Sequence, residues 1–183
     1  MSFHLPAVIF FGSIYAVLYY LNDFFFSIFA INSTVSWVYL PAGFRLLGVI
    51  LGGLSGSVGV GVASALIFYF SNSTSSALNV DGYTACIVGI ASGGVPYFIY
   101  LFFIHLKIIN SSLQDLNLKH IIFMSSCCAF GSVAAHQGIF WLAFSKGLYS
   151  DFIAMLVGDL IGIAMVLILF RISLNFGMML FNR

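Results

Sequence analysis

The chain has 183 residues, 62% of them hydrophobic and 6% charged, with a net charge of +1 and a mean hydropathy of +1.13. Soluble domains carry roughly a quarter charged residues, so water is excluded as the main solvent, and so small a net charge on scattered cations excludes nucleic acid and an anionic lipid surface as electrostatic partners. A spanning helix uses about 20 apolar residues, so about six with short connections fill the length and leave no stretch for a soluble catalytic domain.

The N-terminal run MSFHLPAVIFFGSIYAVLYYLNDFFFSIFAI lacks a cationic start and is too long for the apolar region of a signal peptide. It reads as a retained first span over 6–31. Within it Tyr15, Tyr19 and Asp23 recur at four-residue steps and share a face. A turn at 32–34 leads to a second span, 37–54, that holds Pro41 and Arg45. Gly53–Gly56 is a very tight link to a short third span, 57–70, and a re-entrant hairpin over 37–70 is the rival topology. The polar stretch 71–82 precedes a fourth span, 83–106, in which Ser92-Gly93-Gly94-Val95-Pro96 loosens the backbone. The connection 107–119 leads to a fifth span, 119–144, with a polar stripe of Ser125, Cys128, Ser132 and His136, followed by Gln137. After 145–151 the last span, 151–174, carries Asp159. The fold class is therefore all-α, a polytopic membrane helical bundle of about six transmembrane helices, and residues 1–183 form a single integral membrane domain.

Lys107, Lys119, Arg171 and Arg183 lie on one side of this arrangement and Lys146 on the other, so the positive-inside bias places both termini in the cytoplasm. Small residues recur at four-residue spacing at Gly48 and Gly52, Gly59 and Ala63, Ala85, Gly89 and Gly93, Gly131 and Ala135, and Gly158 and Gly162. Such ridges let helix backbones approach in lipid and predict a compact bundle. Cys86, Cys127 and Cys128 read as small packing residues rather than a disulfide framework.

The intramembrane polar residues fall at one depth. Arg45, Asp159, Asp23, His136 and Gln137 each lie about eight residues from the outer end of their span, on the order of 12 Å below the outer boundary. A charge at mid-helix costs roughly 2.5–3.5 kcal/mol on insertion scales and so faces the bundle interior and pairs. Arg45 with Asp159 is the natural pair, with Asp23 the alternative acid and Tyr19 and the His136–Gln137 pair alongside. The competing reading is an ion pair that fixes two helices and binds nothing. No histidine or cysteine spacing matches a metal site, no cofactor is indicated, and no nucleophile elbow, Walker loop or HExxH pattern is present, so an enzyme is not expected.

Two motifs carry a family resemblance. WVYLPAGFRLLGVILGG, with Trp37, Pro41 and Gly43, resembles the aromatic, Pro-x-Gly and small-residue signature of the bacterial membrane-associated sensor domains of the first MASE class, and GDLIGIAMVLILF, with Gly158, Asp159 and Gly162, is similar to their Gly-Asp-x-x-Gly signature. The resemblance implies a bundle in the bacterial inner membrane that perceives a signal and passes it to a cytoplasmic output module. Members of that family usually have about eight spans and a kinase or diguanylate cyclase module, so here the output implies a separate protein partner. The expected function is a sensory or ligand-binding domain with an outward-facing polar pocket around Arg45 and Asp159 for a small molecule with an anionic group. The alternatives are a substrate-binding subunit of a transporter, similar in size to those of energy-coupling-factor vitamin transporters, and a structural subunit of a membrane complex.

Overall fold

In the computed structural model the described residues are 3–31, 35–73, 80–109, 117–144 and 149–181. The turn at 32–34, much of the connections at 71–82, 107–119 and 145–151, and Lys146 and Arg183 lie outside them. Five α-helices follow in order: α1 (Leu5–Phe26), α2 (Leu40–Ser73), α3 (Gly82–His105), α4 (Leu118–Phe144) and α5 (Tyr149–Phe181). Each includes a segment long and apolar enough to cross a membrane. Among the described residues there is no β-strand, only an isolated bridge between Ala30 and Ser36.

The six expected spans are thus five helices, because the second and third are two arms of α2. The backbone of α2 leaves helical geometry at Gly53, with φ 54° and ψ −131°, a conformation open only to glycine. The chain doubles back there. A Cβ on Gly48 would meet Val60 Cγ2 at 3.5 Å, and one on Gly56 would strike the Gly48 carbonyl, contacts that a straight helix holds about 12–18 Å apart. The first arm measures about 20 Å and the second about 30 Å.

The second expected span also starts late. Its first residues, Trp37–Tyr39, are not helical: Trp37 N–H donates to Phe29 O at 3.0 Å and Tyr39 N–H to Gly158 O at 3.2 Å, so their backbone groups are committed elsewhere. Pro41 then sits at the start of the helix, where its missing N–H costs nothing. Likewise α1 ends at Phe26, followed by a 3-10 turn at Ser27–Phe29, rather than continuing to residue 31.

Glycine contacts hold the arms together. On the second arm of α2, Gly59 lies against Val8 and Gly12 of α1, while Gly61 and Ser57 lie against Gly89 and Gly93 of α3. Ser57 Oγ also donates to Gly93 O at 2.9 Å. These pairs make α1 parallel and α3 antiparallel to that arm. The first arm runs parallel to α5, with a Cβ at Gly43 reaching 2.6 Å from Gly162 O. Every residue from 41 to 49 is buried, and Leu46 and Val49 join Tyr100, Phe103, Met124 and Ile163 in the main core cluster. The first arm is therefore the segment best shielded from hydrocarbon, which is why it tolerates a cation.

Candidate functional site

The site is built where the first arm of α2 begins. Leu40 N–H donates to Asn22 Oδ1 at 2.8 Å, which fastens the arm to the end of α1. On the other side the non-helical backbone of Ser36–Tyr39 lies directly against Gly158 and Gly162 of α5, the two glycines of the Gly-Asp-x-x-Gly stretch, with no room for a Cβ at either. This close approach brings Arg45 to Asp159.

Arg45 is 3% and Asp159 1% exposed, and Arg45 Nη1 stands 3.7 Å from Asp159 Oδ2, beyond hydrogen-bond reach. Arg45 Nε and Nη1 and both carboxylate oxygens make no hydrogen bond. Arg45 Nη2 donates to Tyr39 Oη at 3.3 Å, and its guanidinium carbon lies 5.1 Å from the centroid of the same ring. Tyr39 and Tyr15 share one hydroxyl hydrogen bond of 3.3 Å.

Above the pair lies a cavity of about 370 Å³. Arg45, Asp159, His136 and Ser64, all buried, line its inner end, and Tyr19, Phe26, Ile67, Phe68 and Phe140 supply aromatic and aliphatic wall. Asp23, Ser27 and Ala30 are exposed and mark the mouth. Buried polar groups converging in a largely apolar concavity are the usual make-up of a small-molecule site.

A second polar chain runs from the cavity wall, at Ser64 and His136, to Ser92 and Ser132 behind it. His136 Nδ1 lies 2.7 Å from the Ser132 carbonyl, so it carries the proton and donates. Nε2 is 3.0 Å from Ser92 Oγ, which accepts at 2.7 Å from Ser64 Oγ. With the Ser64 proton committed to Ser92, Ser92's own proton is available to the neutral Nε2, and the Ser64 oxygen retains an acceptor lone pair.

Of the six residues singled out from sequence, Arg45, Asp159, His136, Asp23 and Tyr19 line this one cavity and Gln137 does not. Gln137 Nε2 points to Met155 Sδ at 3.7 Å, behind a methionine that itself forms cavity wall. Asp23 is at the mouth rather than level with Arg45, because α1 ends three residues after it. Ser92 opens the Ser92–Pro96 stretch that the sequence marks as a loosened backbone, whereas nothing in the sequence points to Ser64, and the only trace of Asn22 and Tyr39 is their closeness to Asp23 and Pro41. Among the cysteines, Cys128 is buried as expected of a packing residue, Cys127 is half-buried and Cys86 faces outward. No family model, no curated protein and no solved structure matches the chain.

Proposed function

We propose that the protein is an integral membrane ligand-binding domain of the sensory kind: a small molecule enters the cavity, engages Arg45 and Asp159, and alters how the first arm of α2 packs on α5. A ligand acts this way only if it favours one packing over the other. The observation that carries the reading is the buried Arg45–Asp159 pair, 3.7 Å apart with Nε, Nη1 and both carboxylate oxygens lacking hydrogen bonds at the inner end of a cavity. A purely architectural ion pair offsets its desolvation only with close, fully hydrogen-bonded geometry. This pair retains capacity for a third party.

The resemblance to the first-class MASE sensor domains supports the sensory reading, and so does the contact between the two stretches that carry it: Gly43 packs on Gly162, and Gly158 on the backbone of Ser36. In this reading the two arms of α2 cross the bacterial inner membrane separately, both termini are cytoplasmic, and the output is a separate signalling protein. A thermal-shift screen of the purified protein against small metabolites tests it. Hits that stabilise the parent and leave Arg45→Ala unmoved are expected; identical responses from both proteins to every hit would sink the pocket. Co-purification with a kinase or cyclase supports sensing, whereas an ATPase pair redirects the reading to transport.

A further inference from the structure

The geometry points to a compact zwitterion of the α-amino acid class as the occupant, its carboxylate on Arg45, its ammonium on Asp159 and an aromatic side chain between the cavity walls. This rests on the cavity being a binding site and adds the chemical class that it takes.

The bonding capacity left unused decides the class. Arg45 can only donate, and its Nε and Nη1 are unused; ionised Asp159 can only accept, and both its oxygens are unused. Two such groups 3.7 Å apart ask for an acceptor and a donor at about that separation in one molecule, which an α-carbon bearing both charges provides. A plain anion suits Arg45 but sets its charge beside Asp159, with the carboxylate of Asp23 at the mouth adding to the repulsion. A plain amine meets the guanidinium instead. A zwitterion brings no net charge into a site of low dielectric constant.

Neighbouring groups extend the pattern. Tyr15 and Tyr39 have two phenolic protons and one hydrogen bond between them, and Arg45 donates to Tyr39, so one proton is left over as a further donor for a carboxylate. Ser64 keeps an acceptor lone pair for an ammonium. Phe26, Phe68 and Phe140 line the space between floor and mouth and suit a flat ring.

The test measures binding of L-phenylalanine, phenylpropanoate and phenethylamine to the full chain in lipid nanodiscs by calorimetry. L-phenylalanine should bind at least about tenfold more tightly than either analogue, each of which lacks one charge. In Asp159→Asn the ratio of L-phenylalanine to phenylpropanoate affinity should fall by about the same factor. The comparison on the unaltered protein stands without the variant. Phenylpropanoate binding as tightly as L-phenylalanine overturns the zwitterion, as does no binding of L-phenylalanine when other metabolites bind in an Arg45-dependent way; in both cases the pocket survives. No Arg45-dependent binding of any metabolite removes the pocket itself and the zwitterion with it.

Discussion

Arg45 and Asp159 form a buried ion pair, and each neutralises the other in a place where neither is stable alone. Arg45→Ala should therefore destabilise the fold by about 3–5 kcal/mol, since it leaves an uncompensated carboxylate in the interior. The double substitution Arg45→Met with Asp159→Leu should recover most of that loss in detergent unfolding measurements while abolishing the ligand response. If the double variant is as unstable as the single one, the pair contributes more to folding than charge balance. These two residues could be found in the sequence because charge in an apolar helix is rare and needs a partner. Ser64 could not, because a serine in such a helix bonds its own backbone as readily as a neighbour, as Ser126 does to Ile122 O at 3.0 Å.

At the level of the element, two positive-φ residues make opposite predictions. Gly53, φ 54°, reverses α2, and Gly53→Ala should cost more than about 1 kcal/mol by forcing a side chain into that conformation. Lys107, φ 56°, follows the end of α3, where its N–H bonds Ile104 O at 2.9 Å and Ile108 N–H bonds Phe103 O at 3.0 Å; Lys107→Gly should stabilise by about 1 kcal/mol. Melting curves of the two variants in one detergent should move in opposite directions. The start of α3 carries a pH dependence. The Thr84 side chain and amide, the latter at 2.9 Å, both bond the Asp81 carboxylate and hold it below the ordinary carboxylate range. A depressed folded pKa means that the cap is fully present above the ordinary range and is lost as pH falls through the lowered value. Hydrogen-exchange protection of the Thr84 amide, corrected for intrinsic rate, should drop over that acidic window and show no such drop in Asp81→Asn. The tight Gly53–Gly56 link was legible as a turn because glycine is its own signal. The non-helical segment Trp37–Tyr39 was not, because three apolar residues before a helix look like helix until their backbone partners, Phe29 and Gly158, are known.

Over the whole molecule, the alternation of arms puts the ends of α3 on opposite sides, with the Gly53 reversal level with the N-terminus, where His4 N–H donates to Ser55 Oγ at 3.0 Å. With Cys86, Cys127 and Cys128 replaced, a cysteine at Asp81→Cys should react with an impermeant reagent on intact cells, and one at Lys107→Cys only after permeabilisation; equal labelling of both refutes the arrangement. The bundle class and its glycine ridges were readable because composition and four-residue spacing survive any error in boundaries. The common depth of Arg45, His136 and Asp159 was counted from the span ends, and the three do line one cavity, whereas the count for Asp23 fails because α1 stops at Phe26. The length of α5 has a mechanical consequence. Its 33 residues extend to about 50 Å, and about 30 Å of that lies beyond Asp159 toward Phe181. A rod of that reach pivoting near Asp159 multiplies motion, so a tilt of about five degrees there swings the distal tip by roughly 3 Å, enough to make or break a neighbouring contact.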